Sequence, residues 1–116
     1  MTTQIVNTED VIGVEVRNTQ GESLGKVEAI MLDKLQGQVA YVVLSYGGFL
    51  GMGDKLFALP WSMFSYDNSN DCFVISIDKK KLQNSPGFDK SHWPDMSNTT
   101  WRTTINSYYG TLPPQH

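Results

Sequence analysis

The sequence predicts a mostly β fold, a small antiparallel β-barrel followed by a short helical, aromatic tail, and three observations carry that prediction. The stretch from Gln38 to Trp61, QVAYVVLSYGGFLGMGDKLFALPW, places two apolar runs on either side of a glycine-rich segment. Short apolar or alternating runs recur at intervals of roughly ten to fifteen residues with turn residues between them, which is the pattern of a small barrel and not of βαβ units. From Ser85 onward the periodicity fades while large aromatic residues persist.

Taken in order, residues 1–10 are polar, and Val11–Val16 (VIGVEV) reads as a first strand with Gly13 where it bends or bulges. RNTQGESLG is a turn built on Asn18 and Gly21. Lys26–Leu32 is the second strand, with Val27, Ala29 and Met31 on one face and Glu28, Ile30 and Leu32 on the other. DKLQGQ turns the chain, with Gly37 expected at positive φ. In Val39–Tyr46 both faces are apolar, as in a strand covered on both sides. Lys55–Leu59 makes a fourth strand, stopped by Pro60, which has no N–H for a sheet ladder. For Ser62–Tyr66 a helical turn and a short strand both fit. Asp67–Asp71 (DNSND) is turn-forming throughout, and Cys72–Ile77 resumes alternation with Phe73, Ile75 and Ile77 on one face. DKKKLQN, residues 78–84, reads as one helical turn with Asp78 as N-cap and Pro86 beyond its end.

The barrel is thus expected over residues 8–82 and an aromatic extension over 83–116. The extension carries Phe88, Trp93, Trp101, Tyr108 and Tyr109, and Ser97–Tyr109 can form a helix with Trp101, Ile105 and Tyr108 on one side. Exposed aromatics forgo the burial of ~150–250 Å² each that folding offers, so the extension is expected to dock, on its own barrel or on another subunit.

Composition narrows the function classes. A chain of 116 residues suits one domain. A net charge of −3, with only Lys79, Lys80 and Lys81 in a cluster, gives no phosphate-neutralising surface, so direct nucleic-acid binding is not expected. The N-terminal residues have no secretory pattern and no apolar run approaches the ~20 residues of a membrane span, so a cytoplasmic protein without a membrane span is expected. The lone Cys72 lies in a strand-like run and reads as a small buried hydrophobe.

Three segments, NTQGESLGKVEAIMLD, GQVAYVVLSYGGFLGMGDKLFALPW and SPGFDKSHWPDM, together resemble the PRC-barrel family. This is the small barrel named after the cytoplasmic domain of the photosynthetic reaction-centre H subunit and shared with the C-terminal domain of a ribosome maturation factor. The resemblance covers about residues 11–82, and the WPD and YYG elements resemble a bacterial single-domain branch. It implies a non-catalytic barrel used in protein assembly, often as a homodimer. Unlike the two named members, this chain is expected to carry neither the transmembrane helix of the one nor the N-terminal domain of the other.

Catalytic and ligand motifs are weak. In GGFLGMGDK, Gly48 and Gly53 have the P-loop spacing, but Asp54 takes the lysine position and a strand follows. His92 and His116 lack partners at metal-ligand spacing, no GxSxG elbow is present, and Asp89 and Asp95 flank HWP as turn or cap residues. No catalytic residue, cofactor or metal is expected. The reading is a non-enzymatic interaction or assembly module, a homodimer that docks a protein partner through Phe49, Leu50 and Met52 of the glycine-rich loop and Trp93, Trp101, Tyr108 and Tyr109 of the tail. The alternatives are a small-ligand-binding barrel and an accessory protein of ribosome or RNA assembly.

Overall fold

A computed structural model describes residues 5–46 and 55–111 of the chain. A helical turn α1 (Thr8–Val11) precedes strands β1 (Glu15–Asn18), β2 (Ser23–Asp33), β3 (Gln38–Tyr46) and β4 (Lys55–Pro60). A single 3-10 turn at Trp61–Met63 leads to β5 (Ser65–Asp67) and β6 (Cys72–Ile75), and helices α2 (Lys79–Gln83) and α3 (Thr99–Tyr109) follow.

The six strands form one sheet in the order β4-β3-β2-β1-β6-β5. Its shape follows from that order. A flat sheet of six strands would hold its outer strands ~24 Å apart, at ~4.8 Å per spacing. Here the outer strands β4 and β5 are consecutive in sequence, and the run from Pro60 to Ser65 reaches roughly 18 Å at most even when extended. The sheet must therefore curl, bringing its two edges towards each other without hydrogen bonds between them.

The expected antiparallel barrel is corrected in two respects. The sheet is not closed by hydrogen bonds, and it is mixed, because β1 and β6 run parallel with Val16, Arg17 and Asn18 opposite Phe73, Val74 and Ile75. All other pairs are antiparallel. Turn chemistry dictates the direction of a strand only within a hairpin, and β1 and β6 are joined by no hairpin.

The first strand also differs from expectation. Asn7 caps a helical turn by accepting the Glu9 N–H at 2.9 Å, and Glu9 and Asp10 suit that turn's positive end. Gly13 then sits at φ +88°, and the strand begins only at Glu15. Gly37 is at positive φ as expected, and Asp78 caps α2 by accepting the Lys81 N–H at 2.7 Å. Between Trp61 and Asp67 both alternatives occur in succession, a 3-10 turn and then a short strand.

Strands β3 and β4 are covered on both faces, with Tyr41, Val42, Val43 and Leu44 of β3 and Leu56, Phe57, Ala58 and Leu59 of β4 all buried. Val16, Leu24, Val27, Leu44, Phe57, Leu59 and Ile75 belong to one buried cluster with Leu82 of α2 and Ile105 of α3. The interior is filled by side chains. Gly25 makes the bend of β2 possible: it lies at φ +137°, where any Cβ would meet the Ser45 carbonyl oxygen at 2.2 Å.

The extension docks on its own sheet. Leu56 and Phe88 exchange backbone hydrogen bonds of 2.8 and 2.9 Å, so residue 88 partners the free edge of β4. Gly87 permits that approach, since a Cβ there would fall 2.8 to 2.9 Å from Lys55, Phe57 and the Leu56 carbonyl. Helix α3 is capped by Asn98, which accepts the Trp101 N–H at 3.0 Å, and ends at Gly110 at φ +71°.

Candidate interaction surface

Where the sheet edges approach, side chains bridge the gap. Trp61, just past β4, stacks on Phe64 at 6.0 Å, and both rings meet Phe73 of β6 edge-on at 6.0 and 5.9 Å. Tyr66 of β5 joins Phe73 at 5.2 Å. Contacts of this kind contribute ~0.5–1.5 kcal/mol per pair beyond area burial. Phe73 is buried beneath the group, while Trp61 and Tyr66 remain 39% and 45% exposed. The result is an outward-facing aromatic edge on a rigid base.

Its hydrogen bonding is local and polar. The Tyr66 hydroxyl donates to Asp71 Oδ1 at 2.7 Å, and that bond raises the phenol's pKa. Asp67 holds the β5–β6 turn by accepting from the Ser69 and Asn70 N–H groups and the Asn70 side chain, and the side-chain bond from Asn70 lowers its carboxyl pKa. On β1, Glu15 accepts from Arg17 at 2.9 Å, which lowers the carboxyl and raises the guanidinium pKa.

Trp61 is also one wall of a cleft of about 190 Å³, whose other sides include Tyr41, Pro60, Asp33 and Asn106. Asn106 is a buried polar residue of α3: its side-chain amide donates to the Tyr41 hydroxyl at 3.1 Å and to the Arg102 carbonyl at 2.8 Å. Its Oδ1 accepts from the Thr111 hydroxyl at 2.6 Å. The edge ring of Trp101 packs on Tyr41 at 5.1 Å, so the helix and the cleft share one support.

Of the residues expected to form an interface, Phe49, Leu50 and Met52 lie outside the described residues. Trp93 packs on Phe88 at 5.2 Å and is 40% exposed, near the end of β4 that follows the glycine-rich loop. Trp101 is half-buried at the opposite end of β4, against Tyr41. Tyr108 donates from its hydroxyl to the Lys81 carbonyl, with the Lys81 ammonium 5.6 Å from its ring centre. Tyr109 is buried in the core. The tail's aromatics are therefore largely engaged within the chain, and they do not form one patch.

The aromatic edge itself was missed from sequence. Three aromatics within six residues after Pro60, namely Trp61, Phe64 and Tyr66, were the available signal. Their spacing does not reveal a face, because a 3-10 turn and a strand meet between them.

The groups with chemical potential are arranged as turns. Asp89 Oδ1 accepts from the Ser91 N–H at 3.0 Å and its hydroxyl at 2.8 Å, and it lies 2.9 Å from His92 Nδ1. Ser91 Oγ is 3.1 Å from that same nitrogen. A relay needs serine and carboxylate on opposite ring nitrogens, and here both face Nδ1 in an exposed loop. The His92 contact is the main cause that lowers the Asp89 carboxyl pKa. Asp95 likewise caps a turn through the Ser97 N–H at 3.0 Å. Burial pushes the Cys72 thiol up, away from the reactive thiolate. Among the described residues no group of three or more His, Cys, Asp or Glu side chains is placed to hold a metal ion, and no helix is long and apolar enough to cross a membrane.

Comparison with curated proteins finds none that matches. The sequence model of the PRC-barrel domain matches residues 5–82, well over half of the chain and all six strands. A mostly β chain with a curled sheet and that match over residues 5–82 belongs to the PRC-barrel domain family.

Proposed function

We propose that this protein is a non-catalytic interaction and assembly module, and that its main contact face is the aromatic edge of Trp61, Phe64 and Tyr66. The observation that carries the reading is the exposure of Trp61 and Tyr66 on a buried Phe73 base. Large aromatics with one polar atom, rigidly held and half-solvated, are the side chains that most often anchor protein–protein contacts. The family supports the same direction, since PRC-barrel domains are in general small non-catalytic modules.

In this reading the chain pairs with a second copy and docks a further protein in the cytoplasm, without direct nucleic-acid contact. Trp93 adds a second contact region, supported by its 40% exposure, and Phe49, Leu50 and Met52, outside the described residues, are proposed as further contacts. In the same reading residues 8–82 are the PRC-barrel-like unit and 83–116 its C-terminal extension, of which Phe88 and α3 pack on the sheet. A hollow, ligand-carrying barrel is the weaker alternative, because Val16, Leu44, Phe57 and Leu59 leave the interior filled.

Light scattering on the intact chain at tens of micromolar, beside Trp61→Ser, Tyr66→Ser and Trp93→Ser, tests the proposal. The expected result is a dimer that the first two variants weaken and the third affects less. A monomer throughout, together with protein capture that is indifferent to all three variants, overturns it.

A further inference from the structure

The turn that joins β2 to β3 carries a leucine in open solvent. Leu35 is 92% exposed, and Leu32 near the end of β2 is 61% exposed. Leu32 stands opposite Val39 in the β2–β3 register, and Val39 lines one cleft together with the half-exposed Trp61. A single exposed leucine is ordinary, but apolar groups gathered around one recess mark a contact surface. The turn is also rigid. Asp33 Oδ1 accepts the Leu35 and Gln36 N–H groups at 3.0 Å each, and the Gly37 N–H donates to the Asp33 carbonyl at 2.9 Å. The backbone under Leu35 is therefore set before any partner arrives, and docking orders little more than one side chain.

The recess begins at the base of the same turn. Asp33 and Gln38 line it with Val39, Ala40 and Trp61, around a volume of about 190 Å³. Leu35 is two residues from Asp33, yet its exposure shows that it stands clear of its own recess. A fixed apolar knob beside a recess makes the surface self-complementary: a two-fold axis between them sets each leucine over the recess of the other copy, in both directions at once. The charges agree with that pairing. Lys34, exposed beside Leu35, and Asp33, at the rim of the recess, have opposite signs, so the axis that seats the leucine also brings each Lys34 towards Asp33 of the other copy. Any other occupant would need an apolar knob with a cation next to it, and a second copy of this chain already carries both.

We propose that two copies pair by reciprocal insertion of Leu35 into the recess floored by Val39 and Ala40 and walled by Trp61, with Lys34 and Asp33 setting the register. The inference rests on the self-association reading and deepens it, because it names the turn that each copy supplies to the other. Trp61 then belongs to the pairing face through its recess side.

Sedimentation equilibrium on the intact chain tests the pairing. Leu35→Asp should raise the dimer dissociation constant about tenfold or more with no change in the unfolding midpoint, and Leu35→Met should stay close to the parent. Lys34→Ala and Asp33→Asn should each weaken the dimer a few-fold at low salt, a difference that high salt removes; asparagine keeps the side-chain oxygen that holds the turn. Contact is read by mixing a Leu35→Cys chain with a Ser62→Cys chain under mild oxidation, since Ser62 is exposed and lines the recess while the native Cys72 is buried. A disulfide joining residues 35 and 62 of different chains is expected. A dimer that Trp61→Ser weakens but Leu35→Asp does not, without that cross-link, overturns this pairing and leaves self-association standing. A monomer at all concentrations overturns both. Capture of another protein that Leu35→Asp abolishes while the dimer persists gives the recess a different occupant and also overturns the pairing.

Discussion

At the scale of single residues, buried polar groups divide into bonded and unbonded ones, with opposite consequences. Asn106 is fully employed, with bonds to Tyr41, Arg102 and Thr111. Asn106→Ala is expected to cost about 1–3 kcal/mol in urea unfolding, because it strands those partners. The Tyr109 hydroxyl is buried with no hydrogen-bond partner among the described residues, and Ser85 beside it gives its own proton to the Leu82 carbonyl. Burial pushes the Tyr109 phenol up to about 12 from an ordinary 10, with Ser85 pulling weakly the other way. Folding thus favours the protonated form. The contribution is fully present below pH 10 and fades as pH rises towards 12, and a difference of that size corresponds to roughly 3 kcal/mol. Alkaline titration followed by phenolate absorbance should show a late step, the ionisation of Tyr109, that coincides with unfolding. Tyr109→Phe should abolish that step while leaving stability at neutral pH equal or higher; a loss of more than about 1 kcal/mol would mean the hydroxyl is bonded after all.

At the scale of elements, the bend in β2 and the docking of α3 matter most. Gly25→Ala sets a Cβ against the Ser45 carbonyl in a backbone conformation that L-residues avoid, and neither neighbour is a flexible side-chain end. A loss of about 3 kcal/mol or more is expected, seen as a lowered denaturation midpoint or an insoluble product. Ile105, 1% exposed, is the anchor of α3, and Ile105→Ala should cost about 2–5 kcal/mol. That value distinguishes a helix built into the core from one that merely rests on it. The helix was legible in sequence from its Trp101, Ile105 and Tyr108 spacing. The inward turn of Asn106 and Tyr109 was not, because an apolar stripe cannot show that an amide beside it will meet the Tyr41 hydroxyl of β3, a partner 65 residues away.

At the scale of the whole molecule, the sheet is held curled by a short connection and by rings, and its two edges are treated differently. The β4 edge is partnered by Phe88, and the β5 side is shielded by the aromatic group around Phe73. A chain cut after Leu82 loses the Leu56–Phe88 pairing and the α3 anchor together, and it should unfold at clearly lower denaturant than the intact chain. An equal midpoint would mean that residues 8–82 stand alone. Acid acts on exposed groups: Glu15, Asp67 and Asp89 all have lowered pKa values, so their modest contributions are present above the ordinary carboxylate range and are lost as pH falls through the folded values.

The sequence by itself determined the β character, most of the strand positions, the capped turn at Asp78 and the resemblance to the PRC-barrel family, because hydrophobic period and turn chemistry are local properties. Only the tertiary structure decided that β6 lies parallel to β1, that the extension folds back on its own sheet, and that Trp61, Phe64 and Tyr66 converge on Phe73 at the surface. Those outcomes depend on which distant segments meet, and what selects them is the total surface buried when a short connection forces the sheet to curl.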